Sequence, residues 1–172
     1  VALVIHGFTL YPRTMDHYVK LFAGLGMNVI APRLSRHYTM DNADLDNVSF
    51  REWVKDAEQA YAAATHLGKR VVLVGFSLGG LLSMRMALAH PESADALFVF
   101  SPAIRMNPTA SLGSVIGMTG MKYKGFNVPP ATCGKPYMSA KAGHQIEKLM
   151  DHNERSFFPN GNYTTGDSSV YF

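Results

Sequence analysis

The chain has 172 residues, 47% of them hydrophobic and 17% charged, the composition of one globular domain able to bury a core. Sixteen Lys+Arg against 13 Asp+Glu give a formal net charge of +3, spread without long like-charge runs, which argues against nucleic acid or a polybasic membrane contact. The apolar runs "VALVI" and "VVLVG" are strand-sized and far short of the ~20 residues of a membrane span, so no stable membrane insertion is expected.

Val1–Ile5 reads as a fully buried strand. Thr14 is placed to cap the next segment, where Met15, Tyr18, Val19, Phe22 and Leu25 recur at helical spacing before Gly26 ends it. Met27–Ala31 is a second buried strand, stopped by Pro32, and the polar run "RLSRHYTMDNADLDNV" follows as loop. Ser49 and Glu52 form a capping box ahead of the apolar face Trp53, Ala57, Ala60, Tyr61 and Ala64, and Gly68 closes that helix. Val71–Val74 is a third strand, Leu78–Ala89 a third helix, and Leu97–Phe100 a fourth strand. Strands alternating with amphipathic helices imply βαβ units and a parallel sheet. Their near-continuous apolarity fits a sheet with helices on both faces, so the fold class is α/β. Past Ser101 the chain turns rich in Gly, Pro and Met, with one short helix expected over Ala140–Met150 carrying Ile146, Leu149 and Met150 on one side.

Gly75-Phe76-Ser77-Leu78-Gly79 matches G-x-S-x-G between a strand and a helix, which is the context that gives the motif meaning. A serine that presents its Oγ above a sheet must sit in a strained turn, and Gly75, Gly79 and Gly80 leave room for strand and helix to approach. The helix beginning at Leu78 also aims free N–H groups at the site. Ser77 is therefore the candidate nucleophile. A turn that binds a phosphate, or is merely a tight connection, is the alternative, but the chain has neither G-x-G-x-x-G nor Gly-Lys-Ser/Thr there, so a nucleotide loop is poorly supported.

His6-Gly7-Phe8 follows the first strand, where open α/β sheets bind ligands. Acyl transfer needs two N–H donors on the developing oxyanion, and the backbone amides of Phe8 and Leu78 are the natural pair. His6 is read as ordering this turn rather than as a general base.

The motifs "VIHGF", "VIAPRL", "VVLVGFSLGG" and "LFVFSPAI", in that order, resemble the α/β-hydrolases, most of all bacterial carboxylesterases and monoacylglycerol-lipase or lysophospholipase-like enzymes. The resemblance covers roughly residues 1–105. It implies a partial hydrolase core over 1–105, a cap or lid over 106–172, Ser77 as nucleophile, and Phe8 and Leu78 as oxyanion donors. One departure is "RLSRH", where relatives carry a Pro-Gly-His-Gly-like turn, so the loop near Arg33–His37 is expected to differ.

In this fold an acid and then a histidine follow the serine along the chain. No strand ending in such residues is found after Ser101. Asp151 and His152 are adjacent in a helix and its end, where side chains diverge, and no histidine follows Asp167. His144, Asp151, His152 and Asp167 are therefore read as solvated cap residues. The chain, which opens on a buried strand without Met, is read as a fragment that lacks the acid and base.

The expectation is a serine hydrolase acting on a small ester or lipid-like substrate, with no cofactor and no metal. The same fold also hosts thioesterases, amidases, C–C hydrolases and acyltransferases, as well as silent binding proteins. The seven histidines show no metal-ligand spacing, and the Asp41–Asp44–Asp46 cluster lacks the glycine and Glu of a calcium loop. The Asn47-Val48-Ser49 and Asn162-Tyr163-Thr164 sequons are read as coincidence. The single cysteine, Cys133, cannot form an internal disulfide, in keeping with a cytoplasmic setting.

Overall fold

Four parallel strands order the molecule. The computed structural model describes residues 1–39, 44–104, 122–124 and 137–157. Strands β1 (Ala2–Ile5), β2 (Val29–Ile30), β3 (Val71–Phe76) and β4 (Ala94–Phe100) lie in the order β2-β1-β3-β4. The chain steps from β1 outward to β2 and then crosses back over β1 to β3. That reversal makes the carboxyl ends of β1 and β3 a topological switch point. Helix α1 (Asp16–Gly24) follows β1, α2 (Phe50–Leu67) follows β2, and α3 (Leu78–Ala89) follows β3.

Alternation along the central strands splits the core into two layers. Leu3, Ile5, Val71 and Leu73 face Trp53, Ala57, Leu78, Leu82 and Met86 of α2 and α3. Ala2, Val4, Val72 and Val74 face Met15 and Phe22 on the α1 side. Coverage thins at β4, where Phe98 and Phe100 remain 47% and 37% exposed beside Phe22 and Tyr18. The apolar strand pattern therefore overstates burial at this edge, because α1 alone does not reach across it.

The capping box forms as expected: Ser49 accepts from the Arg51 N–H, and Glu52 accepts from the Ser49 N–H at 2.8 Å. Other boundaries shift. Thr14 does not cap α1. Its hydroxyl donates to the Tyr11 carbonyl at 2.7 Å inside a 3-10 turn, Pro12–Met15, and α1 begins at Asp16 with no side-chain cap. Leu25, expected on the apolar face, lies past the helix and is 66% exposed. Gly26, at φ +80°, does end the turn there. Strand β2 shrinks to two residues because β1, its partner among the described residues, engages only Val29 and Ile30.

Beyond Ser101, β5 (Lys122–Lys124) and β6 (Tyr137–Ser139) pair antiparallel, a ribbon too short to leave a period in the sequence. Helix α4 (the 18 residues Ala140–Phe157) runs past the expected end at Met150. Asn153 and Phe157 continue the face begun by Ile146, Leu149 and Met150, so nothing stops it there. Ala142, Ile146 and Leu149 join the same buried cluster as Trp53 and Met86. Asn153 takes an Arg85 Nη1–H at 3.0 Å. Cys133, Asp41, Asp167 and the second sequon lie outside the described residues. No helix among the described residues is long and apolar enough to cross a membrane.

Candidate active site

Strand register brings the two predicted turns together. Ile5 pairs with Gly75 in the β1–β3 ladder, so two residues further along each strand Gly7 stands beside Ser77. A methyl group placed on Gly7 would come within 3.2 Å of the Ser77 Cβ and 2.8 Å of the Phe76 ring. The Gly7–Phe8 turn thus lies against the serine-bearing elbow.

Ser77 itself has φ 53° and ψ −115°, in the left-handed half of backbone space that an L-residue enters only at a cost. Its main chain is held from three sides: its N–H donates to the Phe100 carbonyl at 2.9 Å, and its carbonyl accepts from Leu81 at 3.1 Å and Ala103 at 3.2 Å. The elbow also demands glycine. A Cβ on Gly75 would overlap the Gly79 carbonyl, and one on Gly79 would overlap the carbonyls of Ile5 and His6. Helix α3 can therefore press its first turn onto β1 and β3 only without those side chains.

The result is a half-buried serine at the N-terminus of α3, its hydroxyl making no cap with the helix behind it. The first N–H groups of a helix lack intrahelical partners and carry its positive end. Leu78 is fully buried and Phe8 is 9% exposed, and among the described residues no backbone acceptor takes either N–H.

The Phe8 amide is aimed from behind. Gly7 O and Phe8 N–H belong to one planar peptide unit, so holding the carbonyl directs the N–H. That carbonyl accepts the Leu10 N–H at 3.2 Å and faces His6 Nδ1 at 2.9 Å. Because the Leu34 N–H donates to His6 Nε2 at 3.2 Å, the proton resides on Nδ1, which donates to Gly7 O. His6 is fully buried, and burial lowers its pKa to about 4, partly offset by the Gly7 bond. Both ring nitrogens are thus committed to holding the turn, and the imidazole stays neutral at ordinary pH.

The Arg33–His37 loop, expected to be distinctive, is built into α2. Asp56 accepts the Ser35 N–H at 2.5 Å and the Ser35 hydroxyl at 3.0 Å, while Trp53 Nε1–H donates to the Ser35 carbonyl at 3.2 Å. The buried His37 ring packs against His6 at 5.0 Å, Trp53 at 5.7 Å and Phe8 at 6.0 Å. Nothing in the composition of this polar run announced those contacts. The W-x-x-D spacing on the buried face of α2 was the one available signal.

The later histidines occupy α4. His144 is half-buried and bonded to Glu147 at 3.2 Å, whereas Asp151 and His152 are exposed. The reading of His144 as a solvated residue is therefore corrected to half-buried, because α4 leans on the core. Packing of the His152 ring against Phe50, together with Arg85 and Arg51, lowers its basicity.

A parallel sheet with helices on both faces, and a serine at positive φ in a glycine-lined strand-to-helix turn, defines an α/β-hydrolase fold. The chain belongs to the Hydrolase_4 family, serine aminopeptidase S33, whose family model matches residues 1–155. It is 32% identical over 91 residues to the thermostable monoacylglycerol lipase of Bacillus sp. (strain H-257), covering 53% of this chain and 36% of that enzyme. The chain thus spans about a third of the length of that relative. The structure described for LipS and LipT, two metagenome-derived lipolytic enzymes, superposes with a TM-score of 0.76 at 24% identity, covering 89% of this chain and 64% of that chain. The monoacylglycerol lipase of Paleococcus ferrophilus gives 0.63 at 21% identity, over 90% of this chain and 66% of that chain.

Proposed function

We propose that this chain carries the nucleophile and oxyanion hole of a serine hydrolase that cleaves carboxylic esters of short to medium acyl chain. Carboxylesterase, monoacylglycerol-lipase and lysophospholipase types all fall within this class. The observation that carries the reading is Ser77: half-buried, at φ 53°, on the N-terminus of α3, with the Gly7–Phe8 turn alongside. In this reading Ser77 Oγ attacks the ester carbonyl as its proton passes to a general base. The N–H groups of Phe8 and Leu78 receive the oxyanion. The alcohol leaves with that proton, and water then releases the acid from the acyl-serine. His6 is not assigned as the base, since both its nitrogens are engaged. No general base is assigned among the described residues. Residues 106–172 are proposed to supply the cap, with α4 as the part that rests on the core.

A fluorophosphonate probe on the full-length protein tests the nucleophile: covalent labelling at Ser77, abolished in Ser77→Ala, is expected. Absence of labelling in folded protein favours a hydrolase-fold binding protein instead. Comparing p-nitrophenyl esters with matched thioesters and anilides then separates an esterase from a thioesterase or amidase on the same nucleophile.

A further inference from the structure

We propose that Asp56 is a positioning residue for the oxyanion turn, acting through the Ser35–Tyr38 loop on Phe8; this rests on the reading of Phe8 as an oxyanion donor. Asp56 lies on α2, and both its carboxylate oxygens are spent on one residue, the N–H and hydroxyl of Ser35. Bonds to an ionised acceptor are roughly twice as strong as neutral ones. One helical turn earlier, Trp53 takes the remaining Ser35 group, its carbonyl. The main-chain polar groups of Ser35 are therefore held by a single helix.

What this anchor secures lies two and three residues on. His37 donates its N–H to the Leu34 carbonyl at 3.1 Å, its Nδ1 lies 3.0 Å from the Ser35 carbonyl, and its ring lies under Phe8. Tyr38 stacks on Tyr11, with centroids 4.5 Å apart and planes 11° from parallel. The 35–38 segment thus grips the 8–11 segment at both ends, through Phe8 and Tyr11, while His37 also packs on the His6 ring. The gripping loop is itself strained, with Arg36 at φ 60° and Tyr38 at φ 52°. Non-glycine residues keep such angles only where surrounding bonds over-determine them. The bidentate hold of Asp56 is the strongest of those bonds, so releasing it lets the loop relax and the Phe8 ring shift. An amide displaced by a fraction of an ångström stabilises the oxyanion less while ground-state binding is little changed.

The test is the hydrolysis of p-nitrophenyl butyrate by the full-length protein and its Asp56→Ala and Asp56→Asn variants, at a temperature where circular dichroism shows each folded. For Asp56→Ala a kcat loss of ~10-fold or more is expected with KM within ~3-fold, as for a weakened oxyanion donor. Inhibition by phenylboronic acid, which forms a tetrahedral serine adduct, should weaken in parallel. Asp56→Asn, which still accepts the Ser35 N–H, should recover most of kcat. If Asp56→Ala does not fold, Ser35→Ala removes only the hydroxyl bond and should show the same kcat-only loss, smaller in size. Unchanged kcat with only a lower melting temperature, or an Asn variant as slow as the Ala variant, overturns the assignment of Asp56. Wild-type protein without Ser77-dependent turnover overturns the hydrolase reading itself and this assignment with it.

Discussion

The two turns that meet at Ser77 are held by opposite means. The elbow after β3 is fixed by main chain: backbone hydrogen bonds to Phe100, Leu81 and Ala103, and glycines whose missing side chains let backbones touch. The turn after β1 is fixed by side chains: the His6 ring beneath it, and His37 and Trp53 around Phe8. A site that must hold a strained serine has little room for side-chain supports there, so close packing does the work. A turn proposed only to aim an amide can be supported from outside. The first should therefore be intolerant of any added atom, and the second tunable by polar substitutions at a distance.

The largest effect expected from this contrast is at Gly79. Gly79→Ala places a methyl against the Ile5 and His6 carbonyls, which are main chain and cannot yield as a side chain would. A loss of more than ~3 kcal/mol is expected in urea unfolding. A stable, labelled Gly79→Ala protein would sink the close-packing account of the elbow.

The side-chain-held turn should fail with acid instead. A neutral buried His6 with a pKa near 4 against 6.5 unfolded means the unfolded chain binds the extra proton between those values. The contribution is complete above pH 6.5 and is lost as pH falls towards 4, up to about 3 kcal/mol. His6→Gln, which can donate to Gly7 and accept from Leu34 without titrating, should flatten that limb of the stability–pH curve. An unchanged acid limb would assign it to other groups.

Relieving the strain sharpens the comparison from the other side. Ser77→Gly should raise stability by about 1 kcal/mol, since the gain from a permitted positive φ exceeds the added chain entropy. Fluorophosphonate labelling should vanish at the same time. The smallest effect is on the helix that carries Trp53 and Asp56. Ser49→Ala removes half of its capping box and should cost ~1 kcal/mol of stability. Probe labelling per folded molecule should stay unchanged, because the bonds to Ser35 lie further along the helix.

Much of the fold could be read from the chain alone, because burial on both faces leaves a plain mark. "VALVI" and "VVLVG" are continuous apolar runs, and α2 carries both its cap and its apolar stripe in sequence. The elbow was legible for a related reason: glycine at 75 and 79 is a local requirement of a close approach. Other features were not. Thr14 looks like a cap but serves a 3-10 turn, since Pro12 has already fixed the backbone before it. Helix α4 looked like a short cap element. Its further course depends on Asn153 and Phe157 meeting Arg85, a contact between residues far apart in the chain.

By itself the sequence determined the α/β alternation, the position of the strained serine and the identity of the turn facing it. These follow from short-range rules of burial, backbone freedom and turn chemistry. Tertiary structure alone decided which partners His6, already read as ordering its turn, would hold and that it stays neutral, and that Asp56 on α2 grips Ser35 across 21 residues of sequence. A hydrogen bond between distant segments leaves no periodicity behind, because its partners are chosen by where the fold brings them.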